Sequence, residues 1–357
     1  MDTTRLYDPH GTKLAAYRRA IIRRVLVTTL ALAILSLYIM PLVYALVTSL
    51  KTPEQVSEPR APIVPSERVT YDYQGDTYDV YNVPTEDGMQ EWALVDPGRR
   101  CSGFIDINNP HAGLIEWEGN WRGLEPVREL SFYWSNYPDA WNRIDFPRLL
   151  GNTLQYAFIT MIGTLVSSSL AAYGFARFNF PFKNVLFFIM ISTILLPPAV
   201  TLVPTYAFFV KSLGWGGTWW PVIVPHLFGN AYNIFLLRQY FLTIPRELEE
   251  AAYIDGANPL QTFVRVILPQ SVPVLTAVAL FHFFFAWNDF FAPLIYLAGN
   301  RAENPISVGL SEFRSFYQIN VPLILTAAII SMLVPLMIFF LAQRYFIQGI
   351  VVTGVDK

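Results

Sequence analysis

The chain has one cysteine, Cys101, in 357 residues, so no intrachain disulfide can hold any part of it together. Its four histidines, His10, His111, His226 and His282, are scattered, and no cysteine-histidine cluster has the spacing of a zinc site. No G-x-x-x-x-G-K-[ST] phosphate loop occurs; the one glycine-rich piece, Gly214-Trp215-Gly216-Gly217, lacks the lysine, which excludes ATP hydrolysis by this chain. Charge is sparse, at 15% of residues with a net of −2, and no nucleic-acid partner is expected. Repeats of 20 to 50 residues and low-complexity tracts are missing as well.

What fills the chain is apolar. Hydrophobic residues make up 53% and aromatics 15%, with a mean hydropathy of +0.36, which is richer than an ordinary soluble domain. Six long apolar runs stand out, at about 25–50, 150–175, 184–210, 219–241, 270–298 and 321–347. Each reaches the roughly 20 residues that a helix needs to cross ~30 Å of hydrocarbon. The expected fold class is therefore an all-α integral membrane protein with six transmembrane helices.

Six crossings put both termini on one side, and the basic residues say which. Six lie before residue 25 (Arg5, Lys13, Arg18, Arg19, Arg23, Arg24), and Arg177, Lys183, Arg238, Arg246, Arg265, Arg344 and Lys357 fall on the same side. The opposite short loops hold only Lys211, Arg301 and Arg314. Both termini should be cytoplasmic. A cleaved signal peptide at 1–50 is excluded by a long basic lead, an apolar run far above 7–15 residues and no A-x-A site.

The expected division is a basic cytoplasmic tail at 1–24, the first helix at 25–50, an extracytoplasmic region at 51–148 and a helical bundle at 149–357. Region 51–148 has nine basic and seventeen acidic residues, a net of −8, which the chain's overall −2 conceals. Within it, VTYDYQGDTYDVYNV (69–83) alternates aromatic or β-branched with polar residues around a Gly-Asp turn, the pattern of a β-hairpin. Strand-like pieces at 90–95 and 103–107 follow, separated by Asp96-Pro97-Gly98. A small β-rich extracytoplasmic insertion between helices 1 and 2, at about 60–128, is expected.

The segment RELEEAAYIDGANPLQTFVRVILP (246–269), within a loop at 242–269, interrupts the apolar runs. Pro245 suits a first helical position, Glu247, Glu249 and Glu250 crowd the first turns, and Gly256 can end the helix in a left-handed cap. Asn258 then offers an N-cap with Pro259 behind it, opening a second short helix that lasts until Pro269 starts the next span. Leu248, Ala251 and Ala252 share one small apolar face, with the glutamates pointing away. On pattern alone, the segment is either a folded loop or a docking surface.

The spacing Glu250-Ala251-Ala252, then Gly256, then Val266-Ile267-Leu268-Pro269 resembles the signature loop of permease subunits from binding-protein-dependent ABC importers, with Val266 in place of isoleucine as the departure. Further stretches resemble the carbohydrate-uptake, maltose-type branch: Thr48-Ser49-Leu50-Lys51-Thr52-Pro53-Glu54, Asn152-Thr153-Leu154, Ala171 to Arg177, Ile234 to Gln239, Trp287-Asn288-Asp289-Phe290 and Gln343-Arg344-Tyr345-Phe346. The resemblance covers about 20–55 and 130–357, and 60–128 matches nothing expected of a minimal member.

The resemblance implies a coupling helix that docks on an ATPase subunit, with Glu249, Glu250, Ala251, Ala252, Asp255, Gly256 and Ala257 at the contact. It implies a bacterial inner-membrane subunit that imports a sugar or oligosaccharide by alternating access. The partners would be a second permease, two ATPase subunits carrying ATP and magnesium, and an extracellular solute-binding protein, with membrane lipid around the chain. The acidic outer region, with Trp117, Trp121, Trp134 and Trp141, is expected to help dock the binding protein. A glycerol-phosphate or other small polar solute is the alternative cargo. An ion-coupled secondary transporter would need internal pseudo-repeats and several buried charges, and neither is present.

Within the bundle, Gly163, Ser167 and Ala171 form a small-residue face for close helix approach. Pro197, Pro198 and Pro204 interrupt the third run, and Pro221, Pro225 and Gly229 the fourth, as packing kinks or as gating elements. Polar groups at membrane depth tend to face an interior path. His282 and Asp289 are seven apart on one face, with Trp287 and Asn288 beside them, and Asn230 and Asn233 lie on the fourth run. These six are the candidate substrate-path residues.

Overall fold

The computed structural model describes residues 9–86, 88–311 and 320–351, and the charges of Arg5, Arg314 and Lys357 lie outside them. The chain divides into two compact units, Met1–Asn136 and Tyr137–Lys357.

In the first unit, helix α1 (Pro9–Ser49) runs through the expected boundary at residue 25, so much of the basic tail continues the first span as helix. A short α2 (Pro53–Ser57) starts at Thr52, whose side chain accepts from the Gln55 amide. Eight strands follow: β1 (Ser66–Arg68), β2 (Thr70–Tyr73), β3 (Asp76–Thr85), β4 (Gly88–Asp96), β5 (Cys101–Asp106), β6 (Ile115–Glu118), β7 (Glu125–Pro126) and β8 (Arg128–Leu130). Strands β2 to β6 pair in sequence order as an antiparallel meander; β7 pairs with β3 and β1 with β8. The β-rich insertion is thus present.

The hairpin at 69–83 forms, but its two-residue turn is Gln74-Gly75 rather than Gly-Asp, because Tyr73 pairs with Asp76. Both turn residues have positive φ, +54° and +98°, the primed geometry that matches strand twist and that glycine accepts without strain. Tyr81, Val83 and Phe104 form the small core, with Trp92, Trp117 and Trp121 packed against it.

The second unit is helical. It begins with α3 (Asn136–Arg143) and the long α4 (Phe146–Arg177), followed by α5 (Lys183–Ser192), α6 (Pro198–Tyr206), α7 (Trp220–Ile223) and α8 (Ala231–Thr243). Then come α9 (Glu247–Ile254), α10 (Pro259–Thr262), α11 (Leu268–Gln270), α12 (Val272–Asn288), α13 (Phe291–Tyr296), α14 (Ile306–Ser311) and α15 (Val321–Val351). Helix α4 is central to the unit, packing against α8, α12 and α14.

The six expected spans are not six continuous helices, and the interruptions read from Pro197 and Gly229 are present. Among the described residues, three helices are long and apolar enough to cross a membrane, within α1, α4 and α15, or five if each of two bent pairs counts as one span. The third run bends by 100° between Lys183–Leu195 and Val200–Ser212, around Pro197, which has no N–H to continue the ladder. The fourth is split at Gly229, where φ is +71°. The fifth breaks after Asn288, where Asp289 leaves the helix. Gly163 accepts the 224–228 turn, since a Cβ there would lie 2.4 Å from a Leu227 methyl, so the small face of α4 serves close packing.

Candidate functional site

The 242–269 loop folds as its residues direct. Helix α9 ends at Asp255, and Gly256 turns the chain with φ +79° while its amide bonds to the Tyr253 carbonyl at 3.1 Å. Asn258 then caps α10 in a reciprocal box: its Oδ1 accepts from the Gln261 amide at 2.8 Å, and Gln261 Oε1 accepts from the Asn258 amide at 2.9 Å. A π-turn at Phe263–Ile267 leads through α11 to α12, and the axis changes direction by 81° between Pro259–Gln270 and Val272–Asn288. The Pro259–Gln270 half of the loop therefore lies nearly at right angles to α12, which it feeds.

One side of this helix pair is anchored and the other is free. Phe263 and Ile267 enter a core with Tyr173, Ala176, Leu237, Phe241 and Ile244, and the Tyr173 and Phe263 rings lie 4.8 Å apart. Glu249 belongs to the anchored side, which corrects its expected position among outward glutamates. It meets Arg177, at the end of α4, with Nε and Oε1 2.5 Å apart, although the N–H is not aimed along that line. The two side chains are only 6% and 7% exposed. Arg177 also donates from Nη2 to the Ile244 carbonyl at 2.7 Å, closing the turn that enters α9. Burial lifts the Glu249 carboxyl above its ordinary value, more than Arg177 and Arg246 draw it down.

Glu250, Ala251, Asp255 and Gly256 are exposed, and Ala252 and Ala257 are half-buried. Beside them Ile254 is 86% exposed and Leu260 63%. The outward surface is thus an apolar ridge with an acidic edge, held on a braced underside.

The polar candidates at the opposite end of α12 divide into two groups. His282 is buried with no partner for Nε2, and its ring meets that of His226 edge-on at 5.0 Å. Asp289 accepts from Tyr156 Oη at 2.8 Å and, at 3.4 Å, from the Ala292 amide. His226 and Tyr156 were not singled out as their partners, because residues 56 and 133 positions away in sequence carry no local signal for those contacts. Trp287 is buried in the core with its ring 5.6 Å from that of Phe283, and Asn288 is exposed, donating to the Phe284 carbonyl at 2.8 Å. Asn230 caps α8 by accepting from the Asn233 amide at 2.9 Å, and Asn233 is buried. Among the described residues no group of three or more histidine, cysteine, aspartate or glutamate side chains could hold a metal ion.

The second unit is thus a broken-helix bundle around the long α4, with a braced helix pair before α12. Residues 163–352 match the family model for the binding-protein-dependent transport system inner membrane component, and the chain belongs to that family. It is 33% identical over 258 residues to the osmoprotective compounds uptake permease protein GgtD of Synechocystis, covering 71% of this chain and 85% of that one. The sn-glycerol-3-phosphate transport system permease protein UgpE of Agrobacterium fabrum is 34% identical over 59% of this chain and 74% of its own. The α-glucoside transport system permease protein AglG of Rhizobium meliloti is 30% identical over 63% of this chain and 60% of its own. A crystal structure of a bacterial ABC transporter that imports the acidic polysaccharide alginate contains a chain of the same fold, with a TM-score of 0.64 at 18% identity, covering 96% of this chain and all of that one. The chain is an ABC permease and a transport subunit, not an ATPase.

Proposed function

We propose that this permease imports a sugar or oligosaccharide by alternating access, driven by two ATPase subunits that bind ATP and magnesium and dock on the 247–270 helix pair. The observation that carries this reading is the two-sidedness of the pair. Its outer ridge is open to a partner, while Glu249, Phe263 and Ile267 tie its underside to α4 and α8. A push on the ridge is then transmitted to a spanning helix instead of being absorbed by a soft loop. Glu250 supplies the acidic edge for a basic residue of the ATPase, which would orient the partners more than it adds affinity. Ala251, Ala252, Asp255, Gly256 and Ala257 allow close approach.

On this reading the chain crosses the membrane six times with both termini cytoplasmic, the third, fourth and fifth crossings being broken. It pairs with a second permease and receives cargo from an extracellular solute-binding protein, which the acidic β unit helps to dock. His282 and Asp289, now with His226 and Tyr156, are the substrate-path candidates. Relatives named for glycerol phosphate and α-glucosides support a polar, hydroxyl-rich cargo. The test is Glu250→Lys in the reconstituted complex: uptake should fall at least tenfold with the amount of inserted chain unchanged. Wild-type uptake in that variant would refute the docking assignment, and uptake without a bound ATPase would refute the whole reading.

A further inference from the structure

The first unit holds a cavity that the transport reading does not use. Met40, Val43, Tyr44 and Val47, on the last turns of α1, wall one side of a cavity of about 370 Å³, and Val56 and Ile63 contribute to its other walls. Two polar residues line the same space. Thr48 is 1% exposed, and its Oγ1 has no hydrogen-bond partner. Lys51 is 8% exposed, and its Nζ donates to the Pro62 carbonyl at 3.0 Å.

The Lys51 charge has no counter-ion among the described residues. Glu58, the carboxylate of this cavity, is engaged by Arg68 and Arg128. Burial, and then the Arg128 charge, hold the Lys51 ammonium below the ordinary lysine value. A buried ammonium with one carbonyl partner and a buried hydroxyl with none are both costly arrangements. An anion seated between them would relieve both.

The position along α1 identifies the kind of anion. The apolar segment Tyr17–Ser49 has 33 residues, roughly 50 Å of helix at 1.5 Å per residue, against ~30 Å of hydrocarbon. Arg18, Arg19, Arg23 and Arg24 mark one boundary of the bilayer. About 20 residues beyond Arg24 lies Tyr44, an aromatic suited to the other boundary. Met40 and Val43 then face acyl chains, while Thr48 and Lys51 stand at headgroup level.

We propose that this cavity binds an anionic phospholipid, its phosphate on Lys51 Nζ and Thr48 Oγ1 and the start of one acyl chain along Met40, Val43 and Val47. The volume of about 370 Å³ holds about twelve groups of water size, at roughly 30 Å³ each, enough for a phosphate and a short run of methylenes. Free phosphate would leave the apolar wall wet. A zwitterionic lipid would bring its own cation toward Lys51 and Arg128.

Native mass spectrometry of the full chain, delipidated and titrated with phosphatidylglycerol or phosphatidylcholine of the same chains, tests this. One phosphatidylglycerol should be retained at least tenfold over phosphatidylcholine. Lys51→Met should lower that retention at least tenfold, and Lys51→Arg should keep it. Equal retention of the two lipids, unchanged retention in a folded Lys51→Met variant, or displacement of the lipid by millimolar inorganic phosphate would overturn the proposal. Should Lys51→Met not fold, Val43→Trp decides: it fills the apolar wall and leaves Lys51 in place, so unchanged lipid retention there also overturns it.

Discussion

Removing either partner of the Arg177–Glu249 pair should loosen α9 from α4, and the two removals should differ in a way that the burial dictates. Breaking a buried pair costs about 3–5 kcal/mol, because the remaining charge is left uncompensated. In Arg177→Ala the stranded Glu249 can take up a proton. Protonating a carboxyl of ordinary pKa near 4.3 at pH 7 costs about 4 kcal/mol, so the defect is capped near that figure. In Glu249→Ala the stranded guanidinium has no such route, since arginine does not shed its proton, and among the described residues the Ile244 carbonyl is its one remaining acceptor. Replacing both with leucine removes both charges and should come close to neutral.

The sign of the pH effect follows. The folded pKa of Glu249 is raised, so its contribution to docking is full below the ordinary carboxylate value and is lost as pH rises through the folded value. Mild acid, pH 5 against pH 7.5, should therefore restore docking in Arg177→Ala and leave Glu249→Ala unimproved. The assay is amide hydrogen exchange over Glu247–Ile254 in the full chain in nanodiscs. Single-variant losses under about 1 kcal/mol, or a double-leucine variant as loose as the sum of the singles, would refute the reasoning.

Two further substitutions address the bundle. Gly229→Ala places a Cβ 2.7 Å from Ser168 Oγ at φ +71° and ψ 178°, a backbone region that essentially only glycine adopts, so strain of about 1–3 kcal/mol is compounded by a clash, and the thermal midpoint in detergent should fall; an unchanged midpoint would show that the α4 contact yields. Tyr156→Phe keeps the ring, withdraws the hydroxyl that donates to Asp289 and should cost about 1–3 kcal/mol in the same assay; an unchanged midpoint would show that this bond does not hold α4 to the end of α12.

The sequence was informative wherever the cause is local. Alternation and a glycine at 69–83 gave the hairpin, with the turn one residue early because the register, not the glycine alone, sets which pair is central. Gly256 and Asn258 gave the corner and the second helix start, since a left-handed residue and an N-cap act within one turn. Apolar run length gave the membrane-crossing elements but not their continuity: Pro197 and Gly229 flag breaks, whereas the 100° bend depends on what packs around them.

Side-chain direction was beyond its reach. Helix spacing groups Glu249 with Glu250 in one acidic turn, and only the position of Arg177, 72 residues earlier, decides that Glu249 turns inward while Glu250 stays in solvent. His226 with His282 and Tyr156 with Asp289 are likewise products of helix packing, which joins residues that no period in the chain relates. By itself the sequence determined that the chain enters a bilayer, where it turns and which loop is polar, because burial preference and backbone propensity belong to single residues and their near neighbours. Which charges end up paired, and which remain for a partner or a lipid, was decided by tertiary structure alone, because the electrostatic cost of a buried group depends on atoms brought to it from elsewhere in the chain.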